Sequence, residues 1–396
     1  MKLQRVNYDA DEKEDRLSDL PDCIVLHIFS FLNVKQVVQT SVLSTRWHHL
    51  WKYLPTLTLG SSHFDNFDSF IRFVINFFYF LCRDGDPSIS LHKLGFLYED
   101  GLPPFRHRHH VEDGVSPDLL NSMLNYAVSR NVKELQICMR SDIQLFPSCL
   151  SSCHSLTSLD FFVPQRNPKN PNGTVLFPNS LNLPSLTHLH IGRVAFHGGV
   201  DLFSGFPRLN RMMITHFKIL GEQNLCISST TLVVLAMKNI FPHHWKIQLS
   251  TPNLSTLVFI GTPPSQIMCA SRLSSLKHVQ IYPEKMNYVK APSLLLSLLH
   301  QLADIQWLTL SSNTLQVLSL LPDVSNIKLN SLYKLESLRI KVKEISKTLF
   351  EPAGSQEEEE VAKLIEALKK GSSSIPSKII DFLLQNSPSA KVHIIQ

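Results

Sequence analysis

Glycine is scarce in this sequence, because the 396-residue chain contains only 14. The chain also lacks a glycine-rich phosphate loop, a GxSxG turn and an HExxH helix, which are motifs of nucleotide, serine and zinc chemistry. Backbone that approaches a phosphate closely depends on glycine, so this composition argues against a nucleotide-binding fold. We therefore expect no active site, no catalytic residue and no cofactor.

Long apolar runs and strong local charge are missing as well. The longest apolar run, residues 70–82, contains Arg72 and Asn76 and is too short to span a bilayer, so it predicts a buried helix. The net charge of +5 is scattered along the chain and forms no basic stripe of the kind that nucleic-acid binding needs. Neither a membrane nor a nucleic acid is an expected partner.

Cysteine is present, but its number indicates no disulfide framework. Seven cysteines, an odd number without dense spacing, are typical of reduced thiols. The polar, acidic N-terminus has no signal-peptide core. We therefore expect a cytoplasmic or nuclear setting, or both.

Residues 15–55 contain the signals of three short helices. Pro21 and Asp22 suit the first turn of one helix, and Asn33 and Ser44 can cap two more. About forty residues have too much surface for their volume to bury many large apolar groups internally. Part of this segment is therefore expected to contact a partner. The apolar residues at three- and four-residue spacing are Ile24, Val25, Ile28, Phe29, Leu32, Val34, Val37, Val38, Val42, Trp47, Leu50, Trp51 and Leu54.

One pattern, apolar-x-x-apolar-x-apolar, recurs along the rest of the chain. It aligns at eleven places, from Leu54/Leu57/Leu59 to Leu335/Leu338/Ile340, and central positions 189, 212, 235, 257 and 279 lie 22 or 23 residues apart. This is the strand pattern of leucine-rich repeats, whose apolar residues share one core while the intervening residues point outward. We predict an α/β fold: a three-helix N-terminal module joined to a curved solenoid with short parallel strands.

The same pattern predicts the domain organisation. Residues 1–14 are expected to form a disordered tail, residues 15–55 the helical module and residues 56–345 the solenoid. Residues 346–396 are expected to contain an acidic loop, helices at 361–369 and 379–384, and a capping strand at 392–395. Ser116 and Pro117 predict the start of a further helix. The LPTLTL segment, residues 54–59, leads directly from the module into the first strand.

The helical segment resembles an F-box in four stretches, LSDLPD, FSFL, TSVLSTRWHHLW and LPTLTL. With its repeats, the chain resembles the plant F-box proteins that continue into leucine-rich repeats, and FLLQNSPSAKVHII resembles a shortened form of their C-terminal tail. The resemblance implies docking on a Skp-type adaptor, which joins cullin and RING subunits in an SCF-type ubiquitin ligase. The implied adaptor contacts are Leu20, Pro21, Ile24, Val25, Ile28, Leu43, Ser44 and Trp47. The alternative, that such residues only pack the helices together, is the one we favour for Trp47 and Trp51.

Side chains between the apolar positions are expected to line the concave face of the solenoid, where a client protein would bind. A register slip of one residue would invert every such assignment. Trp307 is the strongest single candidate, since tryptophan often dominates binding energy, although its indole could instead cover the last strands. The predicted client contacts are His188, His190, Arg211, His278, Gln280, Trp307 and Arg339.

Three groups of histidine and cysteine have the residue types of a metal site. They are Arg106–His110, the group Cys149, Cys153 and His154, and the pair His243–His244. Adjacent loop residues rarely converge on one ion, and a small buried thiol suits the connection between two repeat strands. We favour structural roles for these groups and expect no metal site.

The leading hypothesis is a non-catalytic subunit that recruits a client protein for ubiquitination by other subunits, acting by proximity. One alternative is a scaffold that binds the adaptor but delivers no client. Another is a receptor in which a small molecule or hormone on the solenoid joins the client to it, although no basic cluster lining such a pocket can be read from the sequence. An enzyme ranks last.

Overall fold

The structure is a computed structural model that describes most of the chain. The predicted tail at 1–14 and the acidic loop at 351–360 lie outside the described residues. No helix in the described part is long and apolar enough to cross a membrane. The described residues are 19–84, 91–98, 114–164, 173–239, 245–269, 274–284, 286–287, 289–302, 304–322, 324–342, 349–350, 361–366, 368 and 376–395.

Two α-helices and two 3₁₀ turns form the N-terminal module. Helix α1 spans Asp22–Phe29, helix α2 spans Val34–Thr40, and the 3₁₀ turns are Arg46–His48 and Leu50–Tyr53. Helix α2 begins with a reciprocal cap: the Gln36 N–H donates to Asn33 Oδ1 at 2.9 Å, and the Asn33 N–H donates to Gln36 Oε1 at 3.2 Å. The predicted first two helices and the Asn33 cap are confirmed.

The prediction of a third α-helix capped by Ser44 is wrong. Neither 3₁₀ turn has a side-chain cap, and Leu54 is extended, with φ −64° and ψ 127°. Pro55 disfavours a helical conformation in the residue before it, so the second 3₁₀ turn ends at Tyr53. Trp47, Leu50 and Trp51 are nevertheless buried, so the apolar pattern identified core positions correctly.

Twelve parallel strands form one sheet, and they confirm the predicted solenoid of short parallel strands. Each of the eleven sequence patterns lies on one of these strands, and the twelfth strand is the predicted one near residue 392. Their order in the sheet follows their order in the chain, as stacked repeats require. The strands are β1 Thr56–Gly60, β2 Lys93–Leu97, β3 Glu134–Cys138, β4 Ser158–Phe162, β6 His188–Gly192, β8 Arg211–Thr215, β11 Val234–Asn239, β13 Thr256–Gly261, β15 His278–Tyr282, β16 Trp307–Ser311, β17 Ser337–Lys341 and β18 Lys391–Ile395.

The central apolar residues of the repeats pair in register across the whole sheet, and we call this row the apolar ladder. No ladder residue from Leu57 to Leu338 is more than 2% exposed, whereas Val392 on the last strand is 39% exposed. Each residue of the ladder is shielded from water by the strands on either side of it. The ladder consists of Leu57, Leu94, Leu135, Leu159, Leu189, Met212, Leu235, Leu257, Val279, Leu308, Leu338 and Val392.

Two three-stranded sheets, which the sequence pattern did not predict, lie in the connections between the long strands. One contains β5 Val175–Leu176, β7 Val194–His197 and β9 Lys218–Leu220, and the other contains β10 Asn224–Ser228, β12 Lys246–Ser250 and β14 Gln266–Cys269. The chain leaves β6 and β8 through Arg193 and His216, both with positive φ, at 58° and 51°. A left-handed residue directly after a strand turns the chain away from the long sheet.

Further helices fill other connections: α3 Phe67–Asp84, α4 Pro117–Ser129, α5 Ala291–His300, α6 Ser312–Leu318 and α7 Ser377–Leu384. Helix α4 starts at the predicted place, where Ser116 Oγ accepts a hydrogen bond from the Leu119 N–H at 3.2 Å. Residues 361–366 are helical, within the predicted 361–369, of which 367 and 369 lie outside the described residues. Helix α7 covers the last predicted helix.

The apolar run at 70–82 forms a helix as predicted, but this helix is buried on one face only. In α3, Ile75, Tyr79 and Phe80 are 47%, 58% and 43% exposed. The opposite face packs between the module and the sheet, with ring centroids 5.0 Å apart for Trp51 and Phe77. Arg72 and Asn76 lie on the exposed face, so the helix is amphipathic and the prediction of a buried helix needs this correction.

We predict that Gly192→Ala will destabilise the sheet and that Gly95→Ala will not. A Cβ at position 192 would lie 2.4 Å from both Phe162 Cδ2 and Thr215 Oγ1, whereas a Cβ at position 95 would lie 3.2 Å from Thr58 Cγ2. Overpacking of this kind costs about 1–3 kcal/mol of unfolding free energy. Thermal unfolding followed by circular dichroism should show a lower midpoint for Gly192→Ala alone. Equal midpoints for the two variants would contradict the close approach at Gly192.

Candidate protein-binding surfaces

One face of helix α1 leaves large apolar side chains in water. Ile24 and Ile28 are 44% and 41% exposed and lie on one side of the helix, and Phe31, two residues past its end, is 76% exposed. The opposite side carries Val25 and Phe29, each 1% exposed. The helix therefore has two apolar faces, of which the module covers only one.

The turn after α2 adds two more exposed apolar residues. Val42 is 86% exposed and Leu43 is 68% exposed. An ion pair between Asp22 and Arg46 joins this region to the start of α1, with Arg46 Nε 3.0 Å from Asp22 Oδ1. We call Ile24, Ile28, Phe31, Val42 and Leu43 the apolar module surface. Exposed apolar groups of this size in a small helical module indicate a protein-binding surface.

The predicted adaptor contacts divide into surface and core residues. Pro21, Ile24, Ile28 and Leu43 are exposed, whereas Leu20 and Ser44 are half-buried. Val25 and Trp47 require correction, because they are 1% and 8% exposed and lie in the module core. The Trp47 ring packs edge-on against Phe29, with centroids 5.7 Å apart, as the packing alternative for Trp47 predicts.

Sequence reasoning missed Phe31 and Val42 as surface residues. Phe31 stands seven residues after Ile24 and three after Ile28, so the same helical spacing that selected those two residues could have included it. The apolar spacing predicts Val42 on the second helix, and this is wrong, because α2 ends at Thr40, two residues before Val42. Its exposure depends on how the turn packs, which the local pattern does not encode.

A second surface is the open face of the twelve-stranded sheet. On each long strand, the residues that alternate with the buried ones point away from the core. All seven predicted client contacts occupy such outward positions, and none is buried. Their role in binding a client remains a prediction.

Polar side chains on the open face interact across neighbouring strands. His190 Nδ1 lies 3.0 Å from Asp160 Oδ1, and the Gln136 side-chain amide donates to Asp160 Oδ2 at 3.3 Å. Near β2 and β3, Lys93 Nζ lies 3.6 Å from Glu134 Oε2. Such half-exposed pairs fix side-chain positions more than they add stability.

Trp307 and His278 form a flat aromatic pair on the open face. Their ring centroids are 4.3 Å apart with an interplanar angle of 12°, and they face each other across β15 and β16. Burial, followed by the charges of Arg339 and Lys277, holds the pKa of His278 below its ordinary value of 6.5. Because the unfolded chain then binds the proton more readily, protonation of His278 as pH falls below 6.5 opposes folding.

The candidate metal groups do not converge in the described part of the chain. Arg106–His110 and His243–His244 lie outside the described residues. Cys153 is 2% exposed, its Sγ lies 3.7 Å from the Val132 carbonyl oxygen, and burial raises the pKa of its thiol. The prediction of a packed thiol at Cys153 is confirmed. Among the described residues, no group of three or more histidine, cysteine or acidic side chains could hold a metal ion.

A small helical module with an unburied apolar surface, mounted on a repeat sheet with an open face, defines a modular binding protein. Comparison with known proteins shows what the chain is similar to. The F-box domain model matches residues 17–58. F-box/LRR-repeat protein 13 of Arabidopsis thaliana is 32% identical over 189 residues, which cover 46% of this chain and 36% of that protein.

Two other Arabidopsis thaliana relatives align over most of the chain. F-box/LRR-repeat protein At4g14103 is 27% identical over 331 residues, which cover 78% of this chain and 81% of the relative. FBD-associated F-box protein At4g13985 is 25% identical over 336 residues, which cover 78% of this chain and 67% of the relative. The chain spans 64% or less of several other relatives. It thus has an F-box domain, and its homologues are F-box/LRR-repeat and FBD-associated F-box proteins, which confirms the resemblance.

We predict that Arg339→Gln will raise the pKa of His278 towards its ordinary value. Removal of the nearby positive charge removes one of the causes that disfavour the imidazolium form. The measurement is an NMR titration with histidine-selective labelling, compared with Lys93→Gln at the other end of the sheet, which should leave the His278 pKa unchanged. An unaltered His278 pKa in Arg339→Gln would show that the arginine charge does not reach this ring.

Proposed function

We propose that this chain is the non-catalytic, client-recruiting subunit of an SCF-type ubiquitin ligase in the cytoplasm or nucleus. In this proposal the F-box docks on a Skp-type adaptor, which connects it to cullin and RING subunits, and the open face of the sheet binds a client protein. The observation that carries the proposal is the apolar module surface of the F-box, standing on the same rigid body as the sheet. Client and ligase are thereby held together, and effective concentration drives ubiquitin transfer by other subunits.

The apolar module surface supports the docking step. Ile24, Ile28 and Leu43 are large side chains that the module itself leaves between 41% and 68% exposed. Burial of apolar surface contributes about 25 cal/mol per Å², so an adaptor that covers several such side chains gains affinity from this patch alone. The polar neighbours Asp22 and Arg46 are already paired with each other. The patch therefore presents few unpaired charges that docking would strip of water.

The junction between the F-box and the sheet supports a rigid connection. Leu54, which is separated from β1 by Pro55 alone, is 4% exposed. The Pro55 carbonyl accepts hydrogen bonds from the His92 and Lys93 N–H groups at 2.8 and 3.1 Å, which ties the junction to the second repeat. Trp51 packs against Phe77 of α3 on the other side. A client on the sheet is therefore held at a fixed orientation relative to an adaptor on the F-box.

We predict that Ile28→Glu and Leu43→Glu will each abolish co-precipitation of a recombinant Skp-type adaptor. Each change puts a charge into an apolar contact, which opposes burial strongly. Ile75→Glu is the matched control, because Ile75 is a similarly exposed apolar residue, at 47%, on a helix outside the F-box. The control should bind the adaptor as wild type does. Full adaptor binding by both F-box variants would contradict the docking assignment.

We predict that a chain carrying Ile28→Glu and Leu43→Glu together will accumulate client proteins in cells. Its sheet is unchanged, so it should still bind clients while no longer presenting them to the ligase. Proximity labelling should then enrich proteins whose half-lives lengthen when the wild-type chain is removed. If the enriched proteins keep the same half-lives after that removal, the chain is a scaffold without a client for degradation.

A further inference from the structure

Charge is segregated along the open face of the sheet. Each long strand presents three outward positions, in register with Arg211, Met213 and Thr215 of β8. Among the first four long strands, β3 and β4 carry the acidic residues at these positions, Glu134 and Asp160, and β2 carries Lys93. From β6 to β18 the same positions contain no aspartate or glutamate. Their cationic and histidine residues are His188, His190, Arg211, Lys238, His278, Arg339, Lys341, Lys391 and His393.

The cations nearest the C-terminal end of the face are not neutralised by carboxylates in the part of the chain that is described. Lys238 is paired, with Nζ 3.3 Å from Glu284 Oε2. Arg339, Lys341 and Lys391 make no such ion pair among the described residues, and Lys341 lies over the Tyr282 ring at 5.3 Å. At the rim, Lys334 and Asp304 pair with each other at 2.9 Å. Within the described residues, the end of the face thus keeps its positive charge.

The aromatic pair lies beside these cations. Thr309, two residues after Trp307 on β16, is the register partner of Arg339, and Ser337 is the partner of both Trp307 and Lys391. The neighbouring outward residues Ser337 and Thr309 are small and are 6% and 8% exposed. The flat rings of Trp307 and His278 therefore lie beside a shallow area formed by these small side chains. The cations lie on the other side of that area.

We propose that this end of the open face, from β15 to β18, binds an acidic peptide segment of the client that carries one apolar side chain. Carboxylates of the segment pair with Arg339, Lys341 and Lys391, and the apolar side chain packs on the Trp307 and His278 rings. The proposal rests on the proposed function, because it specifies the partner of the client-binding face. A nucleic acid would also match cations beside aromatic rings, but Arg339, Lys341 and Lys391 lie on only two neighbouring strands, β17 and β18, and do not form a long track.

The test uses the full chain and fluorescein-labelled 12-residue peptides. The acidic probe has eleven aspartates and glutamates around one phenylalanine, the neutral probe replaces them with asparagine and glutamine, and a 12-nucleotide single-stranded RNA serves as the third probe. Fluorescence anisotropy should show binding of the acidic peptide only, weakening as salt rises. Equal binding of the neutral peptide, or tighter binding of the RNA, would overturn the proposal.

Charge-reversal variants locate the contact. Arg339→Glu and Lys391→Glu should each weaken acidic-peptide binding tenfold or more, because each removes a charge-assisted contact. Lys246→Glu is the matched control on the second sheet, where an exposed lysine lies away from the open face, and it should bind as wild type does. Loss of binding in all three variants, or in none, would contradict the assigned location. Arg339→Gln gives a milder version if charge reversal disturbs folding.

Tryptophan quenching gives an independent readout. Trp47, Trp51 and Trp245 are 8%, 6% and 2% exposed, whereas Trp307 is half-exposed. The acidic peptide should protect Trp307 from acrylamide, and Trp307→Phe should remove that effect. Adaptor co-precipitation separates the two proposals. If the wild-type chain binds the adaptor but not the acidic peptide, only the acidic-peptide assignment is overturned. If the wild-type chain does not bind the adaptor, the proposed function itself is overturned.

Discussion

The apolar ladder is the interaction on which the rest of the structure depends. A single repeat contributes one short strand whose inward residue cannot be shielded from water without a neighbour on each side. Leu235, for example, is fully buried between Met212 and Leu257, which belong to strands that start more than twenty residues before and after it. Burial of each rung therefore requires the rungs beside it. This dependence makes the whole sheet one cooperative body.

That cooperative body explains how two binding surfaces can be kept apart and still act together. The inward positions are committed to burial, so the outward positions are free to vary in charge and chemistry without loss of core packing. The F-box joins the same body through β1, the first strand of the ladder, and through the contact between Trp51 and Phe77. Backbone hydrogen bonds and core packing therefore connect the two binding surfaces.

Most of the fold was predictable because the repeat pattern is local. The spacing around Leu189, Met212 and Leu235 identifies each strand within a few residues of chain, without knowledge of its neighbours. The sequence predicts less where tertiary packing determines the local structure. Whether the segment around Trp47 is α-helical or 3₁₀ depends on Pro55 and on the core, and whether Val25 or Phe31 faces water depends on how α1 is seated. The short strands β5, β7 and β9 contain too few residues for any period to appear.

Sequence reasoning identified Arg339 at the basic end of the open face but missed Lys341 and Lys391, for a geometric reason that also ranks these residues. Arg339, Lys341 and Lys391 are about fifty residues apart at their extremes, and only the pairing of β17 with β18 brings them together. Arg339 is flanked by strands on both sides, whereas Lys391 lies on β18, whose inward residue Ile394 is 59% exposed. A side chain on a strand supported from both sides loses less conformational entropy when it forms a contact, because more of its surroundings are already ordered. Arg339 should therefore contribute more than Lys391 to any anionic contact made by this face.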